Sequence, residues 1–385
     1  MINPDFQRMM ARAALQTRRA DLAGATRTIQ QALSGVTHAA ADDQDGDVID
    51  VEARVINDTQ EGIETTVKTR PGEAPRPGPA ADVREDARED TREGRFLAAT
   101  FTRASISINY KLYVPPGDAA EPRPLLLMLH GCKQDPDDFA AGTRMNEVAR
   151  RHGWLVLYPE QSAAMNPQCC WSWFKSSHQQ RGRGEPALLA ALTRHVMETH
   201  AVDARQVHVA GLSAGGAMAT VMGQVYPELF AAVGVHSGLP FAVAANATEA
   251  LARMRSGPGA REIHPGVKPV RAVPTIVFHG TRDMTVHPLN GERVYVDAVA
   301  GVAGSERIEN GREGGRPYTR RSYFDANGQS QAELWLVEGA GHAWSGGDQA
   351  GSHADWQGPD AAGQMICFFS AHPLAADRPV DRSPA

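Results

Sequence analysis

The chain has 385 residues, of which 42% are hydrophobic, and its formal charge at pH 7 is −6. This composition supports a sizeable core and excludes the strongly basic surface that binding to nucleic acids or anionic membranes requires. No apolar run approaches the roughly 20 residues that span a bilayer. Residues 1–24 carry charge throughout and have no apolar centre. They therefore do not resemble a secretory signal, and we predict a cytoplasmic location.

Two segments without a catalytic motif come first. Residues 1–35 are rich in Ala, Arg, Gln and Leu, which predicts amphipathic helices ending at Gly35. Residues 36–95 combine an acidic stretch, a Pro- and Gly-rich stretch and the alternating charges of DVREDAREDTREGR. Such a composition cannot form a packed core, so we predict a disordered linker.

The character of the sequence changes at Phe96, where two strand-like stretches are followed by six short apolar runs with loops and helical segments between them. These runs are 125–131, 154–160, 207–211, 231–238, 274–280 and 332–339. Near-continuous apolar strands separated by helices predict a mostly parallel, doubly wound sheet covered on both faces. We predict one α/β domain over 96–373, with the two first strands at one edge, and a flexible tail over 374–385.

The sequence GLSAG at 211–215 directly follows one apolar run and directly precedes a helical segment. This context is the one that the G-x-S-x-G nucleophile elbow requires. Ser213 would occupy a strained turn, and Gly211 and Gly215 would avoid collisions with the adjacent strand and helix. The pattern predicts Ser213 as a nucleophile.

A serine nucleophile needs a histidine base that is oriented by a carboxylate. In this arrangement the acid and then the histidine follow the serine along the chain. Asp283 lies three residues after run 274–280, and His342 lies just after the last run, between glycines. We predict these residues as the acid and the base.

Other residues compete for these roles. His287 and His353 are alternative bases, and Asp325 and Asp348 are alternative acids. Three further histidines in or at the ends of strands are expected to be packed and hydrogen-bonded: His208, His236 and His279.

The oxyanion of an acyl-transfer reaction needs two N–H donors. One is predicted to be the backbone N–H of Ala214, the residue after the nucleophile. The second is predicted to be that of Cys132 in the loop after run 125–131, where Gly131 allows close approach. His130 is expected to brace this loop.

Seven segments together resemble the poly(3-hydroxybutyrate) depolymerase-like esterases, and also the feruloyl and acetylxylan esterases that share their α/β-hydrolase core. The segments are HGCKQ (130–134), CWSWF (170–174), QRGRGEPALLAAL (180–192), AGLSAGGAMA (210–219), GVHSGLPF (234–241), HGTRDMTV (279–286) and GAGHAWSGG (339–347). The resemblance covers residues 96–373. It implies an ester as substrate, with Ser213, Asp283 and His342 as the catalytic triad.

The resemblance also implies a disulfide between Cys132 and the cysteine before a tryptophan, Cys170, or its neighbour Cys169. A metal site is not predicted, because the chain has no CxxC pair and adjacent thiolates seldom reach one ion. No cofactor is expected. Secreted polymer depolymerases of this type carry a signal peptide, which residues 1–24 do not resemble. This favours an intracellular esterase on short soluble or amorphous polyester, or on another acyl ester.

Several features near the predicted site have two interpretations. Trp171, Trp173 and Trp344 are candidates for the wall of an acyl pocket, or they pack in the core. The charged residues Arg181, Arg183 and Glu185 order a loop before a helix, or they are solvated. Residues 242–273 are a candidate lid.

Three functional hypotheses follow. The first is a serine esterase that hydrolyses hydroxyalkanoate polyester or its oligomers through an acyl-enzyme. The second is a feruloyl or acetylxylan esterase. The third is a binding protein with an inert hydrolase core, whose N-terminal extension docks on a partner or a polyester granule.

Overall fold

The computed structural model describes residues 93–259 and 273–375, together with Thr28. The chain divides into two units, 1–78 and 79–385. Apart from Thr28, all described residues belong to the second unit. The predicted helical segment 1–35, nearly all of the predicted linker and most of the predicted tail lie outside the described residues, so these boundaries stay predictions.

Ten strands belong to one sheet. In chain order they are β1 (Arg95–Arg103), β2 (Ile106–Val114), β3 (Arg123–Leu129), β4 (Leu155–Pro159), β5 (Val202–Leu212), β6 (Val233–His236), β7 (Thr275–Gly280), β8 (Gly304–Glu313), β9 (Arg316–Asp325) and β10 (Ser330–Val337). Their spatial order is β1-β2-β4-β3-β5-β6-β7-β10-β9-β8. The six strands from β4 to β10 in this order pair in parallel, and the strands at both edges pair antiparallel.

Helices connect the strands. They are α1 (Pro136–Thr143), α2 (Met145–His152), α3 (Gly184–Thr199), α4 (Ala214–Val225), α5 (Ala247–Ser256), α6 (Leu289–Val299) and α7 (Ala361–Ser370). A 3-10 turn spans Ser176–Gln179, and a small parallel pair joins β11 (Trp344–Ser345) to β12 (Ala354–Asp355). None of the helices within 93–259 and 273–375 has the length and apolar character needed to cross a bilayer.

The core lies on both faces of the sheet, because side chains along each strand point to alternate faces. On β3, Leu125 and Leu127 belong to the apolar cluster that includes α3, α4 and α6. Leu126 and Met128 belong to the opposite cluster, which includes α1, α2 and α7. The structure therefore confirms the predicted doubly wound α/β sheet, with each predicted apolar run forming a central strand.

The hairpin formed by β8 and β9 was not predicted from the sequence. Its strands, GSERIENGRE and RPYTRRSYFD, are rich in Arg and Glu and are mostly exposed or half-buried. They carry no apolar run because this edge of the sheet is largely in contact with solvent. Gly314 and Gly315 form the turn between the two strands. A Gly–Gly pair is typical of two-residue hairpin turns, so this pair was a signal in the sequence from which the hairpin could have been predicted.

Buried His208 on β5 makes the stability of this domain dependent on pH. Its ring packs against those of Trp154 and Phe369, with centroids 5.3 and 4.9 Å away. Burial, and then the charge of His372, lowers the pKa of His208 to about 3. An unfolded histidine titrates near 6.5, so the folded state binds fewer protons below that pH. The contribution to stability is complete above pH 6.5 and is lost as the pH falls toward 3.

Because of His208, we expect the free energy of unfolding to be about 2 kcal/mol lower at pH 5 than at pH 7. Urea unfolding at both pH values measures this loss. In the His208→Leu variant the difference between the two pH values should shrink by that amount. The same comparison on His152→Gln, at an exposed histidine, should leave the difference as in the wild type. An unchanged difference in His208→Leu would contradict the assignment.

Candidate active site

Ser213 lies on the turn between β5 and α4. Its backbone φ is 58° and its ψ is −118°, a strained conformation for a residue with a side chain. The Ser213 N–H donates to the carbonyl oxygen of His236 at 2.9 Å, which holds the turn against the end of β6. The serine thus stands at the carboxyl end of the parallel strands, where ligands bind in sheets of this type.

Close packing around this turn requires the two glycines of GLSAG. A β-carbon at Gly211 would lie 2.6 Å from the carbonyl oxygen of Leu129, and one at Gly215 would lie 2.6 Å from that of His130. Both distances are too short for real contacts, and both obstacles are backbone atoms at the end of β3. The strand and helix can therefore approach closely only with glycine at these positions.

Asp283 and His342 meet in loops that follow β7 and β10. Oδ2 of Asp283 lies 2.7 Å from Nδ1 of His342. Oδ1 of Asp283 accepts the backbone N–H groups of Thr285 at 2.9 Å and Val286 at 2.8 Å. The carboxylate is therefore held in place by its own loop, and it fixes the ring of His342 with Nε2 available for another partner.

A second histidine supports the acid. Nε2 of His279 lies 3.4 Å from Oδ2 of Asp283 and hydrogen-bonds the carbonyl oxygen of Val286 at 2.8 Å. Burial raises the pKa of Asp283, but hydrogen bonds from His279, His342 and the Val286 N–H outweigh it and hold that pKa far below its ordinary value. Asp283 is thus ionised at neutral pH.

His236 links the serine turn to the loop that carries His342. Its carbonyl oxygen accepts the Ser213 N–H, and its Nε2 accepts the N–H of Ser345 at 2.9 Å. Its ring also stacks on Trp344, with the centroids 5.1 Å apart. Burial lowers the pKa of His236 to about 3, so the ring remains neutral and its Nε2 remains an acceptor.

His236 therefore connects the loop after β10, which carries His342, to the turn after β5, which carries Ser213. The hydrogen bonds among the described residues do not include one between Oγ of Ser213 and His342. In many hydrolases this bond tightens only when the substrate is bound.

The predicted oxyanion donors face the same region. Ala214 is the first residue of α4, so its N–H has no acceptor within the helix. Cys132 follows β3, and its N–H has no acceptor among the described residues. A β-carbon at Gly131 would lie 3.7 Å from the β-carbon of Ser213, which places this loop beside the serine.

A disulfide joins Cys132 to Cys170, while Cys169 and Cys367 are free. It connects the Cys132 loop to a segment braced by buried Glu185. Oε1 of Glu185 accepts the side-chain N–H of Gln161 at 2.7 Å, and its Oε2 accepts the N–H of Ser172 at 2.7 Å. The Glu185 side chain therefore orders this segment and is not solvated.

Loss of this disulfide should loosen the Cys132 loop. In the Cys170→Ser variant we expect the unfolding free energy to fall by about 2–4 kcal/mol, since the bond closes a loop of intermediate length. We also expect kcat/KM for an ester to fall about tenfold, because a displaced N–H stabilises the oxyanion less well. Urea unfolding and steady-state hydrolysis measure the two effects. Cys367→Ser, at an exposed free thiol, is the control and should change neither.

The three tryptophans are buried. Trp171, Trp173 and Trp344 are 0%, 5% and 1% exposed. The indole N–H of Trp171 donates to the carbonyl oxygen of His130 at 3.1 Å, and Trp344 packs edge-on against Phe139. These contacts favour core packing over an open pocket wall.

The competing residues make other contacts. Asp325 and Asp348 accept backbone N–H groups within their own turns. Nδ1 of His287 accepts the N–H of Leu289 at 3.3 Å. The ring of His353 lies beside that of His342, with the centroids 6.2 Å apart, and its side chain is exposed. None of these contacts joins a second acid to a second histidine among the described residues.

Arg181 and Arg183 lie before α3. Arg181 pairs with Glu228 at 2.5 Å, and Arg183 is the exposed residue before the first turn of α3. Within the candidate lid, residues 242–259 are described and contain α5, whereas residues 260–272 lie outside the described residues.

Comparisons with known proteins find similar esterases. Residues 108–297 match the protein family described as Esterase PHB depolymerase. Poly(3-hydroxyalkanoate) depolymerase C of Paucimonas lemoignei is 29% identical over 242 residues, which cover 60% of this chain and 57% of that protein. Feruloyl esterase B of Thermothelomyces thermophilus is 26% identical over 274 residues, which cover 64% of this chain and 91% of that protein.

A solved structure supports the fold. The acetyl xylan esterase from Aspergillus awamori superposes with a TM-score of 0.54 at 19% identity, covering 72% of this chain and all of that one. At this identity the likeness concerns the fold alone, and it confirms the predicted α/β-hydrolase architecture.

Proposed function

Because the chain carries a domain of the esterase PHB depolymerase family, we propose that it is a serine esterase that hydrolyses hydroxyalkanoate polyester or its oligomers. The chain spans 57% of the length of the Paucimonas depolymerase, so the activity of the whole protein is part of this proposal. The observation that carries it is the 2.7 Å bond between Asp283 and His342, at the sheet edge where Ser213 stands on its strained turn.

The proposed reaction proceeds in two halves. Nε2 of His342 takes the proton of Ser213 as Oγ attacks the ester carbonyl carbon, and Asp283 stabilises the imidazolium that forms. The N–H groups of Cys132 and Ala214 stabilise the oxyanion of the tetrahedral intermediate. His342 then gives its proton to the departing alcohol, leaving the acyl group on Ser213. Water activated by His342 attacks this acyl-enzyme and releases the acid.

The substrate class rests on the relatives. One is a poly(3-hydroxyalkanoate) depolymerase, and another is a feruloyl esterase that the chain covers almost completely. The feruloyl or acetylxylan alternative therefore has support, but not better support than the polyester proposal.

A substrate panel tests the proposal. We expect kcat/KM for 3-hydroxybutyrate oligomers to exceed that for methyl ferulate and acetylated xylan, with p-nitrophenyl butyrate as a common reference. A higher value for ferulate or acetylxylan would replace the polyester assignment with the alternative. A fluorophosphonate probe should phosphonylate Oγ of Ser213 with loss of fluoride, so the peptide that contains Ser213 should gain the mass of the phosphonyl group. If the protein shows neither labelling nor hydrolysis, the result would instead support an inert core.

The N-terminal extension carries a second part of the proposal. Residues 1–35, which we predict to form amphipathic helices, would dock on a partner or a polyester granule. Co-sedimentation with amorphous poly(3-hydroxybutyrate) granules would compare the full chain with one that begins at Pro79, the start of the second unit. Equal co-sedimentation of the two chains would exclude docking of the extension on granules. The cytoplasmic location stays a prediction.

A further inference from the structure

We propose that Gln134 is a positioning residue for ester hydrolysis, because it connects the loop of the oxyanion donor to the loop of the catalytic histidine. This inference rests on the proposed function. Gln134 is 4% exposed and lies two residues after Cys132. It does not contact the reacting atoms, so its effect on the reaction must pass through the loops that it holds.

One end of the Gln134 side chain holds the loop after β3 that carries the Cys132 N–H, which we call the oxyanion loop. Oε1 accepts the N–H of Gly131 at 2.9 Å. The carbonyl oxygen of Gly131 accepts the Gln134 N–H at 3.3 Å and hydrogen-bonds Nδ1 of His130 at 2.7 Å. In a trans peptide the C=O and the N–H point in opposite directions. Fixing the C=O of Gly131 therefore also fixes the direction of the Cys132 N–H. The side chain of Gln134 contributes by holding Gly131 at its N–H, so that the backbone N–H of Gln134 and the His130 ring can hold it at its C=O.

The other end of the side chain holds the histidine loop. Nε2 of Gln134 donates to Oδ2 of Asp138 at 2.8 Å and to the carbonyl oxygen and Oγ of Ser352, each at 3.2 Å. Asp138 in turn accepts the N–H and the hydroxyl of Ser352 at 2.7 and 2.6 Å. The backbone carbonyl oxygen of the next residue, His353, accepts the N–H of Trp344, and Trp344 lies two residues after His342.

Gln134 is suited to this task because an amide accepts at one end and donates at the other. Both ends are used here, and the contacts join residues 218 positions apart in the sequence. Oxyanion stabilisation depends on donors held about 2.7–3.1 Å from the developing charge. A small displacement of the Cys132 N–H relative to His342 should therefore weaken binding of the transition state more than binding of the substrate.

The Gln134→Met variant tests this role, since methionine keeps the length of the side chain but removes its hydrogen bonds. We expect kcat for p-nitrophenyl butyrate to fall about 10- to 100-fold, with KM nearly unchanged. This effect is no larger than the one caused by removing a complete oxyanion donor. The affinity of a trifluoromethyl ketone, which forms an oxyanion on the serine, should fall by the same factor.

The matched control is Gln179→Met. Gln179 is also 4% exposed, and its Nε2 donates to the carbonyl oxygens of Trp173 and Ala244. Its loss should lower the melting temperature as Gln134→Met does, without the parallel loss of kcat and inhibitor affinity. Equal changes in the two variants would overturn the positioning role.

A polarity exchange provides a second test if Gln134→Met folds poorly. Gln134→Glu places a carboxylate against Asp138 and removes the donor, so we expect a loss similar to that of Gln134→Met. Adding Asp138→Asn supplies an N–H in the reverse direction and should recover at least half of that loss on a logarithmic scale. No recovery, with both variants folded, would contradict the proposal. If the proposed function itself fails, the wild type neither hydrolyses esters nor binds the ketone.

Discussion

Ser213→Ala should lower kcat/KM for p-nitrophenyl butyrate by at least about 10⁴-fold, because no other group can form the acyl-enzyme. The hydroxyl makes no hydrogen bond among the described residues that holds the fold together, so the melting temperature should change little. The measurement is steady-state hydrolysis together with thermal unfolding followed by circular dichroism. The fluorophosphonate adduct should disappear in the same variant.

Ser322→Ala is the matched control for this substitution. Ser322 is 1% exposed, and its hydroxyl lacks a partner within the described part of the chain, but it lies on β9, next to the edge strand β8. Its loss should leave both hydrolysis and labelling as in the wild type. Near-normal hydrolysis by Ser213→Ala would exclude Ser213 as the nucleophile.

Asp283→Asn should lower kcat by about 10⁴-fold, the loss known when a triad aspartate becomes an amide. The amide oxygen can still accept the N–H groups of Thr285 and Val286, so the loop should keep its conformation. The amide N–H, however, would donate to Nδ1 of His342 and place the proton on Nε2. That tautomer cannot accept the proton of Ser213. Steady-state hydrolysis across a range of pH measures the effect.

The control is Asp325→Asn, which also tests a competing assignment of the acid. Oδ1 of Asp325 accepts the N–H groups of Asn327 and Gln329, just as Oδ1 of Asp283 accepts two N–H groups of its own turn. An asparagine oxygen can still accept these N–H groups in both variants, so both turns should keep their conformation, but only the change at Asp283 should lower kcat about 10⁴-fold. If Asp325→Asn were the less active variant, the acid would be misassigned.

The positions of the three proposed triad residues at one end of the sheet could be predicted because their signals are local in sequence. Ser213 lies in a five-residue pattern between a strand and a helix, and Asp283 and His342 each follow the end of an apolar run. In a parallel sheet the loops after the strands converge at one edge, so chain order and strand ends suffice to bring these residues together. The sheet and its two covered faces were predictable for the same reason.

The partners of these residues were harder to predict. Backbone hydrogen bonds leave no mark on the sequence, so the way in which His236 connects Ser213 with Ser345 could not be read from it. Similarly, aromatic residues suit either a core or a pocket wall. Only the burial of Trp171 and Trp344 distinguishes the two.

The α/β-hydrolase sheet and the order of Ser213, Asp283 and His342 follow from the sequence, because strand periodicity and turn chemistry act over a few residues. Tertiary structure decided which cysteine pairs with Cys132 and which distant groups hold the oxyanion loop. These choices depend on distances between atoms far apart in the chain. Gln134 contacts Ser352 only because the loops after β3 and β10 lie at the same end of the sheet, the carboxyl end of its parallel strands.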